Sequence, residues 1–308
     1  MLVLVLASSA SAAAFHCDQL CAASSFLRTA HRVPRICLLE LATGNPAELD
    51  SATASVGSAQ DALSTHGVVR LNGVLPPPAA TSLRSYVDSA LEAALQSARE
   101  SVALDMGDVM IEHFGEVLVR ENRHDLKLDL ASPPVKAAVD ALLSSLAPIL
   151  AACLGEDAVL YELAALISDP QAPSQPFHPD TPHLGEAQGL AVLTAFVALQ
   201  PIGKNMGPTN FLPSSHTAEA HAVFNRADDG GEAKLALLRS RPTWRGLLGT
   251  GDCSLFDSRL LHCGGPNTSD RRRVIFYLSF KAKNAKAPPG TLLYELRGKH
   301  SLADLRPS

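Results

Sequence analysis

From Leu160 onward the chain is written as short apolar or alternating runs: Leu163 to Ile167, Leu190 to Leu199, Asn210 to Leu212, Ser254 to Phe256 and Val274 to Phe280. Pro, Gly, Asp and Ser separate them. Runs of this length are too short for stable helices, and the turn residues between them favour strands. A set of short strands buries its apolar side only by folding onto a second layer, which predicts a sandwich or barrel. The chain before Leu160 is built differently. Leu83, Tyr86, Val87, Ala90, Leu91, Ala94 and Leu95 recur at helical spacing from Ala80 on. Pro133-Pro134 opens a second helix with Val135, Ala138, Val139, Leu142, Leu143 and Leu146 on one side. Val68 to Leu71 reads as a short strand, and Pro76-Pro77-Pro78 reads as a stop. The expected class is mainly β with flanking helices packed outside.

The first residues do not belong to that pattern. Met1 to Leu6 is apolar, and Ala7 to Ala14 is all Ala and Ser. This is similar to a signal-peptide core followed by a small-residue cleavage region. It is too short to span a bilayer as a stable helix. Phe15 to Arg35 is poor in acids and carries Arg28, His31, Arg32 and Arg35, as a transit sequence does. A leader addressed to the secretory pathway or an organelle such as a plastid is expected, with a cytoplasmic protein as the other reading. Ala42 to Gln60 is rich in small polar residues and reads as a poorly ordered lead-in. The expected division is therefore leader and lead-in over 1–60, a catalytic domain over 61–285, and a surface tail over 286–308. A net charge of -5 without a clustered basic face argues against a nucleic-acid partner. No membrane span is expected in the mature chain, and a monomer is the default. The six cysteines have no framework spacing and read as free thiols.

The chemistry concentrates in Gln175-Pro176-Phe177-His178-Pro179-Asp180. At the end of a strand, positions i and i+2 share a side, so His178 and Asp180 can bind adjacent positions of one metal. His262 is the best third ligand. Two histidines and one carboxylate form a facial triad that leaves three positions open on an octahedral Fe(II). Two of these accept a bidentate 2-oxo acid and the third accepts O2. The oxo acid's distal carboxylate needs a planar guanidinium, which fixes it through two parallel hydrogen bonds. Arg273, eleven residues after His262, lies on the strand face of Ile275, Tyr277 and Ser279. Arg271 and Arg272 are the alternatives.

These pieces together resemble the phytanoyl-CoA dioxygenase-like family. The resemblance rests on His178-Pro-Asp180, on Met206-Gly-Pro-Thr-Asn-Phe-Leu-Pro-Ser-Ser-His216, on Gly251-Asp252 through Phe256-Asp257 to His262, and on the Arg273 strand. It runs from Val68 to Lys281. It implies a double-stranded β-helix (jelly-roll, cupin-like) core, Fe(II), 2-oxoglutarate and O2. It also implies oxidation of a C–H bond in a small-molecule or acyl-type substrate, with release of succinate and CO2. Gly264 departs from the pattern, since some members place Ser there against the oxo acid. Tyr161, Thr194 and Tyr277 are candidates to compensate. Halogenating relatives replace the carboxylate ligand by a small residue, so the resemblance with Asp180 present implies hydroxylation or another C–H oxidation over halogenation. Two rivals remain: a weakened 2-oxoglutarate-binding regulatory protein, and a cupin-type hydrolase or isomerase with Zn2+ or Mn2+. Residues 100–130 and 217–245 are the expected lid segments. His183 reads as a loop residue near the mouth, and His216 as a turn-former. Asp257 and Arg259 read as a pair behind His262, Asn267 and Ser269 as turn residues, and Cys263 and Trp244 as packing.

Overall fold

The computed structural model describes residues 48–50, 55–103, 112–183, 191–226, 228–286, 293 and 296–307. Of the leader and lead-in expected over 1–60, residues 1–47 and 51–54 lie outside the described residues. Regular structure begins before Asp61, within the expected lead-in. Strand β1 (Glu48–Asp50) is followed by helix α1 (Val56–His66). Ser55 caps that helix by accepting a hydrogen bond from the Ser58 amide. Ala59, Ala62 and Leu63 bury the inward side, so a composition of small residues concealed an amphipathic face. Gly67 ends the helix at φ 77°, the left-handed conformation that favours glycine. A Cβ there would lie 2.6 Å from Nδ1 of His216 and 2.7 Å from Leu260. The turn is therefore closed by both backbone shape and neighbours.

Strand β2 (Val68–Asn72) leads to the long helix α2 (Pro77–Ala103). Pro77 and Pro78 start this helix and do not stop it. Proline lacks an amide hydrogen that the first turn does not use. Strand β3 (Arg123–Lys127) precedes helix α3 (Pro133–Leu154), whose buried side includes the predicted Val135, Ala138, Val139, Leu142, Leu143 and Leu146. The helix is apolar enough to cross a bilayer by length and composition. Here its buried residues belong to the main core.

Strands β4 (Val159–Ser168), β5 (Val192–Ala198), β8 (Cys253–Asp257) and β10 (Arg273–Lys281) complete a seven-stranded sheet in the order β1-β2-β8-β5-β10-β4-β3. All its pairings are antiparallel except β1 with β2. A three-stranded sheet, β7-β6-β9, is made by β6 (Thr209–Phe211), β7 (Trp244–Arg245) and β9 (His262–Gly264). This is the mainly antiparallel arrangement with flanking helices expected of a jelly-roll core.

Alternation along the strands separates two interiors. Leu163, Ala165, Ile167, Val274, Phe276, Leu278, Leu193, Ala195 and Val197 join the core containing α2 and α3. Ala164, Phe196, Ala198, Phe256, Ile275 and Tyr277 join a second cluster, which also holds Phe211 of the small sheet. The site lies in this second interior. Helices α4 (Ala218–Phe224) and α5 (Glu232–Arg239) occupy one expected lid segment. In the other, 104–111 lies outside the described residues. The C-terminal segment is not a free surface tail. Helix α6 (Leu302–Leu305) carries a capping box from Ser301 and Asp304, and Leu302 is wholly buried. The Leu302 amide donates to the Ala158 carbonyl, and the Leu160 amide donates to the His300 carbonyl.

Candidate metal centre

His178 and His262 face each other across an isolated antiparallel bridge. Each backbone amide donates to the other's carbonyl at 2.9 Å. The bridge fixes both imidazoles relative to one another before any metal is considered. Asp180 follows through Pro179, and its amide and that of Thr181 both donate to the Ser258 carbonyl, at 2.9 and 3.1 Å. His178 thus sits in a bridge and not at the end of a regular strand, yet the i, i+2 relation still turns both side chains to one place. Oδ1 of Asp180 lies 3.8 Å from Nε2 of His178 and 3.5 Å from Nε2 of His262. The three ligand atoms fall within 4.8 Å of one another.

The ring nitrogens are assigned by their partners. Nδ1 of His178 lies 2.9 Å from the Pro176 carbonyl, and Nδ1 of His262 lies 2.8 Å from the Leu260 carbonyl. A carbonyl only accepts, so each Nδ1 carries the proton and each Nε2 presents a lone pair to the shared point. Burial, then the charge of His262, pushes the His178 pKa down to about 4. Burial pushes His262 down to about 4 as well. Both rings are therefore neutral near pH 7, which is the form that binds metal. The Asp180 side chain keeps an open side, yet desolvation within the cavity raises its pKa to about 6, with His178 opposing the shift. Two lone-pair nitrogens and a carboxylate oxygen, converging from one side, fit a facially bound divalent iron.

The turn that delivers His262 is held from behind. Arg259 is paired with Asp257 through Nε at 3.0 and 3.2 Å and through Nη2 at 2.5 Å. The Arg259 carbonyl accepts from Nε2 of His221 at 2.6 Å. Ring centroids of His183 and His221 stand 5.8 Å apart, so His183 packs beside this support. His216 directs Nε2 at the Ser64 carbonyl and closes the Gly67 turn. Asn267 and Ser269 make turn hydrogen bonds, including Asn267 Nδ2 to the Ser168 carbonyl at 2.9 Å. The Cys263 side chain lies by Asn210, and the half-buried Trp244 stands edge-on to His66.

The triad opens into a cavity of about 230 Å3 that Asp125, Glu162, Leu166, Gln175, Thr194, Phe196, Gly264 and Tyr277 help to line. Of the three residues expected to compensate for Gly264, Thr194 and Tyr277 reach the cavity, and Tyr161 is not among its lining residues. The Thr194 hydroxyl is shared with Ser258 and Ser279, both at 2.9 Å. What stands against Gly264 is Gln175. Its Oε1 accepts from the Gly264 amide at 3.1 Å, and a Cβ on residue 264 would come within 2.6 Å of it.

Arg273 is wholly buried, whereas Arg271 is exposed and Arg272 pairs outward with Asp169 and Asp88. Arg273 donates to the Gly207 carbonyl and, at 2.9 Å, to Ser168 Oγ. Its Nε is buried without a partner. Ser168 also receives Nε of Arg123 at 3.3 Å, because β3 and β10 flank β4 with Arg123 and Arg273 both opposite Ser168. Burial, then the charge of Arg123, lowers the Arg273 pKa to about 9, which still leaves it a cation near pH 7. Arg123 is missing from the sequence reading because Arg-His-Asp-Leu-Lys has no apolar alternation.

With this geometry in place, comparison with known proteins is informative. A model of the phytanoyl-CoA dioxygenase (PhyH) family matches residues 63–275. Among solved structures, the chain is similar to the non-heme alpha ketoglutarate dependent carbocyclase SnoK from nogalamycin biosynthesis. That match has a TM-score of 0.57 and 21% identity, and covers 80% of this chain and 90% of that one. It is also similar to the non-heme alpha ketoglutarate dependent epimerase SnoN from the same biosynthesis, with a TM-score of 0.54 and 18% identity over 80% and 89% of the two chains. At these identities the likeness shows a shared fold. No curated protein matches the chain. The matched segment spans most of the chain and contains every element that delivers the His-Asp-His set, and the chain belongs to the phytanoyl-CoA dioxygenase family of non-haem Fe(II)- and 2-oxoglutarate-dependent oxygenases.

Proposed function

We propose that this protein hydroxylates a C–H bond of a small-molecule substrate, with iron held by His178, Asp180 and His262 and 2-oxoglutarate anchored by Arg273. The observation that carries the reading is the convergence of two neutral Nε2 lone pairs and one carboxylate oxygen within 4.8 Å. When bound, the iron and oxo acid supply the oxidant: one O2 and one 2-oxoglutarate give succinate, CO2 and one oxygen atom for the substrate. The protein's part is to bind, orient and exclude water.

Arg273 and Arg123 support the co-substrate assignment. Two buried guanidiniums share Ser168, and among the described residues neither has an ion-pair partner. Buried cations are normally paired, and a dicarboxylate's distal end would meet that need. The cation pair also distinguishes the oxygenase reading from a metal hydrolase, which needs no oxo-acid anchor. A small-molecule substrate agrees with the two proteins that share the fold, a carbocyclase and an epimerase from nogalamycin biosynthesis.

The test starts from protein purified without oxygen and loaded with Fe(II) and 2-oxoglutarate. Admission of O2 is expected to yield succinate, and His178→Ala and Asp180→Ala are each expected to reduce it at least a hundredfold. Equal turnover in wild type and both variants would remove the triad from the reaction.

A further inference from the structure

The inner face of the large sheet is graded in charge. Arg123 and Arg273 stand opposite Ser168 at one end, and Glu162 stands opposite Ser279 toward the other. Asp125 lies one inward-facing position from Arg123 and lines the metal cavity, yet it is only 4% exposed. Its contact is the Tyr277 hydroxyl, 2.9 Å from Oδ1 and 3.0 Å from Oδ2. One hydroxyl has one proton, so among the described residues Tyr277 serves the two oxygens of the ionised carboxylate one at a time, and the group borders the cavity. Burial, against the Tyr277 hydrogen bond, raises the Asp125 pKa to about 7.

The rest of the lining points the same way. Glu116, Glu162 and Asp180 also border the cavity, and among the described residues no lysine or arginine lines it. Lys127, two residues along the strand, opposes the Asp125 shift only weakly. 2-Oxoglutarate brings acceptors and no donor at neutral pH, so it gives the ionised Asp125 no hydrogen bond. A saturated acyl chain brings neither.

We infer that Asp125 is a specificity-determining residue that accepts an N–H or O–H from the substrate, so that the substrate carries a hydroxyl or protonated amine near the oxidised carbon. This rests on the oxygenase reading and narrows its substrate class. It disfavours an acyl thioester whose reactive end is bare hydrocarbon.

The experiment uses the Fe(II)-loaded full chain with 2-oxoglutarate and O2, and follows succinate. The probes are alicyclic and aliphatic amines, alcohols on the same carbon skeletons, and the matching carboxylates and acyl-CoA thioesters. Donor-bearing probes are expected to raise succinate formation at least tenfold over the probe-free rate, and donor-free probes are not. The amine and alcohol arms tell which donor is used. In Asp125→Asn the kcat/KM for an active amine is expected to fall at least tenfold, mainly through KM, with a smaller fall for an alcohol. Asp125→Glu, which keeps the charge and moves it, gives the same readout where the Asn variant does not fold. If neither variant folds, the wild-type probe profile decides the question. Stimulation by thioesters or carboxylates as strong as by donors, or an unchanged profile in a folded variant, overturns the assignment of Asp125. Absence of succinate from wild type under every condition, probe-free included, overturns the oxygenase reading instead.

Discussion

At the scale of single residues, the candidate metal centre was the most legible part of the chain. His178, Asp180 and His262 announce themselves through residue type and spacing, because few side chains bind a divalent metal and their order along the chain is restricted. The groups around the oxo acid were far less legible. Gln175 sits three residues before His178, but nothing in its own position says that it fills the space beside Gly264. That contact yields a prediction. Gly264→Ser adds a Cβ within 2.6 Å of Gln175 Oε1 and forces one of them to move. The obstructing atom is the free end of a flexible side chain beside the cavity, so the variant is expected to lose at most about 1 kcal/mol of stability. Gly264→Ser combined with Gln175→Ala should recover most of it, because the obstacle is then gone. Thermal unfolding of the two variants and the wild type checks this, and additive losses would refute it. A second prediction concerns Arg273. Its planar fork cannot be reproduced by an ammonium. Arg273→Ala should raise the KM for 2-oxoglutarate at least tenfold, and Arg273→Lys should recover only part of the loss. Metal affinity, measured without the oxo acid, should change little in either variant.

At the scale of elements, the sequence was readable where one face is apolar and silent where both faces carry a task. Helix α3 and strands β5 and β10 follow from periodicity because one side of each meets the main core. Strand β3 does not, because its inward positions hold Arg123 and Asp125 for the site. The polar interior that makes the pocket erases the pattern that would reveal the strand. The C-terminal segment failed for another reason. Only Leu302 and Leu305 of its last helix are buried, and two apolar positions are too few to show a period. Their effect is nevertheless testable. Leu302 is wholly buried against the main core, so Leu302→Ala is expected to cost about 2–5 kcal/mol. Denaturant unfolding would show it as a lower midpoint. Iron binding should persist under native conditions, because the helix contributes nothing to the triad. A midpoint within error of wild type would mean that the segment does not hold its place.

At the scale of the whole molecule, desolvation shifts the protonation of the site, strongest at the buried His262 and acting also on the part-buried His178 and the more open Asp180, and its signs differ among the three residues. Both histidines are held down to about 4, so their neutral form stabilises the metal-free fold above the unfolded value of 6.5. That contribution is lost as pH falls from about 6.5 toward 4. Asp180 is held up to about 6, so its protonated form is the favoured one, and its contribution is lost as pH rises from 3.8 through about 6. Metal binding then depends on a single proton. Near pH 6 the folded protein already has both imidazoles neutral, and only Asp180 must release a proton to bind. Apparent affinity for a divalent metal is expected to be flat above about 6 and to fall about tenfold for each pH unit below it, the slope of one displaced proton. Exposed histidines of ordinary pKa would instead give a steeper fall beginning near 6.5, because up to three protons would compete. Titration of the metal-free protein with Fe(II) under anoxic conditions, repeated from pH 5 to 8, separates the two slopes. A steep dependence would mean that the imidazoles are not shielded as their burial and their Nδ1 hydrogen bonds require. A single-proton slope would show that the jelly-roll sets two ligands in their binding form before the metal arrives.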